Sequence, residues 1–246
     1  MSRTARQKSG SGYYHIVHRG IGKQILFEED EDNERFLATL QRYRRELGFG
    51  IVAYCLMENH IHLLLHDVQG QIEQIMKKIA VSYAYYYNHK YDRSGHLFQD
   101  RYMSEAVEDE AYFLCVIRYI HRNPEKAGIS KASEYRWSSY SAYLTPNDWI
   151  DTALALELIG GSERFPDFIN CGSEQECLDI RERKRMRDED ARQLIIEYCN
   201  VSSGTQLQQW NRKERDTAIK KLKELGISVR QLERLTGINR GVIQKA

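Results

Sequence analysis

Apolar positions follow two rhythms along the first 125 residues. Over 13–19, 51–57 and 60–66 they form short blocks or alternate with polar residues, as strands do. Over 36–43, 72–83 and 113–120 they recur every three or four positions, which marks amphipathic helices. The first strand, Tyr13 to Arg19, is broken by Gly20 and Gly22. The acidic patch Glu28 to Asn33 starts a helix striped by Phe36, Leu37, Leu40 and Tyr43, which Gly48 and Gly50 end. Strands over Ile51–Met57 and His60–His66 flank a two-residue turn, Glu58-Asn59. Ile72, Ile75, Ile79 and Tyr83 share one stripe of a helix over Gln71–Tyr91. A loop with Ser94-Gly95, a short strand over Arg101–Val107 and a helix over Asp109–Asn123 follow. Pro124 is expected to stop that helix. The predicted order, β-α-β-β-α-β-α, implies an α+β fold with an antiparallel sheet backed by helices.

The pattern changes after about residue 145. Asp151 is the expected cap of a short helix ending at Gly160-Gly161, and the stretch around Pro166 and Gly172 reads as connecting structure. Ser173 followed by Glu176 matches a capping box, from which a charged helix is expected to run to about Cys199. The end of the chain is a compact helical unit. One helix over 212–225 is stopped by Gly226, a second over 229–235 is capped by Ser228, and a third over 240–246 is capped by Asn239. Leu232, Leu235, Ile238, Val242 and Ile243 supply a small core. Three regions result: a mixed domain over 1–145, a helical connector over 146–200 and a helical region over 201–246.

Composition narrows the class. With 41% hydrophobic and 29% charged residues, the 246-residue chain can build a buried core. The net charge of +1 excludes an overall polycation but leaves room for local basic patches. No run of about 18 apolar residues suggests a bilayer span. The polar, basic start, Met1 to Gly12, lacks the apolar stretch of a secretory signal. The five cysteines, at 55, 115, 171, 177 and 199, form no CxxC pair, so neither a disulfide framework nor a thiolate zinc site is expected. A reducing cytoplasm is the expected location.

The richest chemistry lies in the segment Glu58 to Leu65. On a strand, His60 and His62 point to one face, and Ile61, Leu63 and Leu65 to the other. The apolar face can be buried, holding the two imidazoles side by side on a rigid element where they could share a divalent metal. His66 lies on the same face and reads as a strand-end surface residue. A second cluster follows on the helix over 109–123. Phe113, Val116, Ile117 and Ile120 form its buried stripe, and Tyr112, Cys115, Tyr119 and Asn123 form an adjacent one. Tyr119 and Asn123 lie one turn apart on one face. The phenol could attack a phosphorus atom and the amide oxygen could complete a metal site. Equally, Tyr119 could pack on the sheet and Asn123 could cap the helix. Arg118 and Arg122 could contact phosphates.

Four stretches taken together resemble the HUH superfamily of single-strand DNA nucleases, and within it the REP-associated tyrosine transposases, a single-tyrosine group. They are ENHIHLLL at 58–65, GHLFQDRY at 95–102, RYIHRNPEKAGI at 118–129 and YRWSSYSAYL at 135–144, and the resemblance covers about residues 13–145. It implies a ferredoxin-like antiparallel sheet over 1–145. It implies a metal, Mg²⁺ or Mn²⁺, held by His60 and His62 with Asn123 as third ligand, and it makes Tyr119 the catalytic nucleophile. It implies a dimer acting on hairpin-forming single-stranded DNA through a 5′-phosphotyrosine intermediate.

Binding residues follow the same lines. Lys77 and Lys78 precede Tyr83, Tyr85, Tyr86 and Tyr87 on one helix, and lysines with exposed aromatics suit single-stranded DNA; the tyrosines could equally be core residues. Arg101 and His96 are further candidates, and by the family pattern Arg19 faces the DNA. The region over 212–246 carries 10 Lys and Arg against 4 Asp and Glu, a net of +6, and its short helices with a glycine turn read as a helix-turn-helix. Arg230, Arg240, Gln244 and Lys245 are its candidate contacts; a packing or dimerisation bundle is the alternative. The leading expectation is a metal-dependent single-strand DNA endonuclease and strand transferase. Its competitors are a domesticated DNA-binding regulator with an idle nuclease domain, a replication-type nickase and an RNA-binding ferredoxin-like domain. The histidine pair with Tyr119 weighs against the first and last, and the lack of a Walker loop weighs against the nickase.

Overall fold

The computed structural model describes residues 8–145, 147–171, 177–178 and 188–246. By its internal contacts the chain divides into two compact units, 1–179 and 180–246. The first is built on four antiparallel strands in the order β2-β3-β1-β4: β1 (Tyr13–Arg19), β2 (Gly50–Met57), β3 (His60–His66) and β4 (Met103–Ala106). Three helices alternate with them: α1 (Asp30–Leu47), α2 (Ile72–Lys90) and α3 (Glu110–Lys126). The order is therefore β-α-β-β-α-β followed by a helix, the ferredoxin-like arrangement.

Register decides what the sheet presents. Val17 lies opposite His62, Arg19 opposite His60 and His15 opposite Leu64. Paired residues on antiparallel strands share a face, so His15, His60 and His62 all point the same way. α3 covers that face, with Phe113 packing edge-on to Tyr13. On the other face His18 stacks on Phe98, which packs on Tyr83 of α2, and α1 packs against α2. Residues 137–139 hydrogen-bond to the outer edge of β2 through Leu56 and Tyr54, which satisfies an otherwise bare strand edge.

Two devices hold the helices. Asp32 closes the N-terminus of α1 in a capping box with Glu29 and is fully buried. It also receives Lys90, Tyr86 and Tyr91 from α2 and its C-terminal end, at 2.6–3.0 Å. Burial by itself would raise this carboxyl's pKa, but the hydrogen bonds from Tyr91, Lys90, the Glu29 backbone and Tyr86 outweigh it and hold the group below its ordinary value. On α3, His121 is buried. Its Nδ1 bonds the Ile117 carbonyl at 2.9 Å, and its Nε2 lies 2.8 Å from the Ser139 hydroxyl. This ties α3 to the segment along β2, and burial pushes the imidazole down to about 4.

Three expectations change. α3 does not stop before Pro124 but runs through it to Lys126. Proline removes one N–H near the end of the helix, where few hydrogen bonds remain to be lost, and the Ala127 amide still reaches the Asn123 carbonyl. The stretch around Pro166 is partly helical: α5 (Phe165–Asn170) follows α4 (Ala153–Ile159), with proline in its first turn where it is tolerated. α5 forms because Phe165 is buried, stacked on Tyr143 at 4.3 Å and edge-on to His121. α4 starts after Thr152 rather than Asp151, whose carboxylate pairs with Arg44 at 2.8 Å. Ser173 and Glu176 lie outside the described residues.

The second unit contains α6 (Asp188–Cys199), a 3-10 turn over Gly204–Gln209, α7 (Arg212–Glu224), α8 (Val229–Thr236) and α9 (Arg240–Lys245). Its core joins Ile195, Leu207, Ile219, Leu222, Leu232 and Ile243. Ser228 and Gln231 form a capping box, and Asn239 caps α9, as the sequence implied. Gly237 takes φ 71°, a left-handed turn residue that separates α8 from α9.

Candidate active site

Strand alternation places His60 and His62 on the α3 face, and the buried Ile61, Leu63 and Leu65 lock β3 beneath them. Their ring centroids are 5.1 Å apart. Tyr119 arrives from α3, which Phe113, Val116, Ile117 and Ile120 anchor on the sheet. Its buried ring stands edge-on to His62 at 5.5 Å and to His15 at 5.8 Å. A phenol and an imidazole separated by 57 positions of sequence thus meet within one chain.

The hydrogen bonds bear on which ring nitrogens can bind a metal. His60 Nδ1 lies 2.7 Å from Asn59 Oδ1, so the amide oxygen accepts its proton and the lone pair falls on Nε2. His62 Nδ1 lies 3.3 Å from His15 Nε2, while His62 Nε2 is buried without a hydrogen-bond partner among the described residues. When His62 Nδ1 donates to His15, that buried Nε2 carries a lone pair suited to a cation. The buried His15 and His62 rings favour the neutral form. Burial pushes His15 down to about 3. Burial, and then repulsion from His15, His60 and Lys126, hold His62 well below its ordinary value. Neutral imidazole is the metal-binding form.

Asn123 is buried, and its Nδ2 donates to the Tyr119 carbonyl at 2.9 Å, which leaves Oδ1 as the end able to act as a ligand. Among the described residues, no three His, Cys, Asp or Glu side chains form a metal cage. The chemistry of two adjacent neutral imidazoles suits an ion that takes the rest of its shell from oxygens. Two neighbours escaped the sequence reading. His15 becomes visible only once strand pairing is known. Lys126 places its ammonium 3.9 Å from the centre of the Tyr119 ring, two turns further along α3. Its signal was the spacing of seven from Tyr119, hidden because the helix was expected to end at Asn123.

The remaining candidates are scattered. Arg19 is half-buried at the end of β1, opposite His60. Arg118 donates to the Phe168 carbonyl at 2.9 Å and lies over the Phe168 ring, and Arg122 pairs with Glu125 at 3.1 Å. Lys78 pairs with Glu46. Lys77 and Arg101 are exposed at the rim of a cavity of about 460 Å³, walled by Met76, His18, Phe98 and Tyr102 on the opposite face of the sheet from His62. Tyr83 and Tyr87 are core residues, and Tyr85 is exposed. In the second unit Arg230, Arg240, Gln244 and Lys245 are exposed.

Residues 8–123 match the family model described as IS200-like transposase. Among solved structures, the fold is similar to that of a REP-associated tyrosine transposase bound to a REP hairpin. The two share 17% identity over 61% of this chain and 91% of that one, with a TM-score of 0.52. A Deinococcus radiodurans R1 protein provisionally described as a transposase shares 20% identity over 49% of this chain and 97% of its own, with a TM-score of 0.36. No curated protein matches the chain.

Proposed function

We propose, from the match of residues 8–123 to the IS200-like transposase family, that the protein is a metal-dependent, single-strand DNA endonuclease and strand transferase with Tyr119 as its nucleophile. The observation that carries this reading is the approach of the Tyr119 ring to His62, beside His60 on one rigid strand.

His60, His62 and Asn123 would hold Mg²⁺ or Mn²⁺. Such an ion, when bound, supplies positive charge against a non-bridging phosphate oxygen. The other steps belong to the chain. The Tyr119 oxygen attacks phosphorus, its proton passes to solvent, and the bond to the 3′ oxygen breaks. The leaving oxygen takes a proton, giving a free 3′-hydroxyl and a 5′-phosphotyrosine. Because the phosphotyrosine conserves the phosphodiester bond energy, a second 3′-hydroxyl can reverse the step and join a new strand. Burial of Tyr119, with its ring edge-on to His62, supports this reading because it limits the freedom of the attacking group. The Lys126 ammonium adds positive charge where phosphate must approach. The substrate of this reading is hairpin-forming single-stranded DNA. The second unit serves as a helix-turn-helix that grips DNA through Arg230, Arg240, Gln244 and Lys245.

The test is a labelled DNA hairpin incubated with the protein and Mn²⁺, followed by denaturing electrophoresis. A covalent protein–DNA adduct is expected, abolished in Tyr119→Phe and prevented by chelation. Cleavage that persists unchanged in Tyr119→Phe would remove the covalent mechanism.

A further inference from the structure

Cys115 lies on α3 one turn before Tyr119, so the two share a face of the helix. Its sulfur lies 3.0 Å from that of Cys177, although 62 positions separate the two in sequence. Both are thiols; Cys115 is buried and Cys177 half-buried. A disulfide measures about 2.05 Å between sulfurs, so roughly 1 Å of travel would join them. The surroundings of Cys177 place it along the same face of α3. The backbone of Leu178 hydrogen-bonds the Tyr112 phenol. The charges of Lys126 and Glu105 both act on the Cys177 thiol. Lys126 is the residue that covers the Tyr119 ring. Residues 177–178 therefore flank the candidate active site, and the mechanism above uses neither sulfur.

We infer that Cys115 and Cys177 form a reversible disulfide that pins residues 177–178 against α3 beside Tyr119 and slows attack on DNA when the protein is oxidised. The inhibition rests on the nuclease reading; the disulfide does not.

The oxidant is a peroxide. Cys177, the more exposed sulfur, reacts first as its thiolate: it attacks one peroxide oxygen, the O–O bond breaks, and a sulfenic acid forms as hydroxide leaves. The Cys115 thiolate then attacks the sulfenic sulfur, the S–O bond breaks, and the S–S bond forms as a second hydroxide leaves. Each hydroxide takes up a proton given up by a thiol. Two thiols and one peroxide thus become one disulfide and two waters, with both sulfurs oxidised and both peroxide oxygens reduced. A small dithiol reverses the change by exchange. Burial holds the Cys177 thiol above its ordinary range, which keeps the reaction slow until peroxide accumulates.

The experiment uses the full chain. Protein treated with hydrogen peroxide is alkylated, digested without reduction and mapped by mass spectrometry, and a parallel sample is assayed for adduct formation on hairpin DNA. A linked Cys115–Cys177 peptide pair is expected, cleaved by dithiothreitol. Adduct formation should slow by about tenfold to a hundredfold on oxidation and recover on reduction, the effect expected when closing the sulfur gap shifts α3, and Tyr119 one turn on, by a part of about an ångström. Cys177→Ser and Cys115→Ser should each abolish the linked peptide, and Cys177→Ser should keep its rate through the same treatment. Recovery of both cysteines as separately alkylated peptides after oxidation of the folded protein overturns the disulfide. A linked protein that forms adduct at the reduced rate overturns the inhibition. Absence of adduct from reduced wild type defeats the nuclease reading and the inhibition with it, while the linked peptide is still decided by the mapping.

Discussion

His15 shows how much depends on one side chain outside the recognised motif. Its Nε2 faces His62 Nδ1, so it influences which nitrogen of His62 carries a proton. Replacing His15 with Phe keeps a ring of similar shape and removes the partner. Mn²⁺ affinity, measured by calorimetry without DNA, is expected to weaken by about tenfold to a hundredfold while the circular dichroism spectrum is retained. Equal affinity in the variant would separate His15 from the metal site. His62→Ala removes a proposed ligand itself and is expected to abolish detectable Mn²⁺ binding and adduct formation together. Lys126 acts at the same scale. It was invisible to a reading that ended the helix at Asn123, because proline's bias against helix is a local preference that three more residues of packed helix can override.

Among the elements, the junction of α1 and α2 concentrates the electrostatics. Asp32 is fully buried and serves as both cap and acceptor for Lys90, Tyr86 and Tyr91. Asp32→Ala would take the shared acceptor from Tyr86, Tyr91 and Lys90, which keeps Glu29 and Glu31, and a cost of about 1–3 kcal/mol is expected in chemical denaturation. The pH dependence has a definite sign. The folded pKa lies below the reference value of 3.8, so the stabilisation is complete above that value. It is lost as pH falls through the folded-state value. Asp32→Asn should therefore be less stable at neutral pH and should lose less stability than wild type between neutrality and strong acid. Parallel acid-unfolding curves for the two proteins would contradict this. The element boundaries that moved share one cause. α5 around Pro166 exists because Phe165 fills the space against Tyr143 and His121, a contact across more than twenty residues that no local pattern announces.

At the scale of the whole molecule, the chain has two compact units. The first holds the sheet and the candidate nuclease residues, and the second carries the +6 stretch. Arg230→Ala, Arg240→Ala and Lys245→Ala combined are expected to weaken DNA binding at low salt. The slope of log affinity against log salt should fall by about 2 to 3, nearly one per lost phosphate contact. The first unit's adduct chemistry should persist at saturating DNA. An unchanged slope would assign the second unit to packing rather than to nucleic acid.

The order of strands and helices, the faces of β3 and the caps at Ser228 and Asn239 were legible in the residues alone, because each depends on neighbours a few positions away. The meeting of Tyr119 with His62 was expected from the resemblance of four separated motifs and from no local pattern. The His15–His62 contact, the Lys126 ammonium over the phenol and the approach of Cys115 to Cys177 belong to the tertiary structure. Strand register and the docking of α3 determine them, and both are settled by packing between segments remote in sequence. A one-residue slip of β1 against β3 would turn His15 away while leaving every local preference intact.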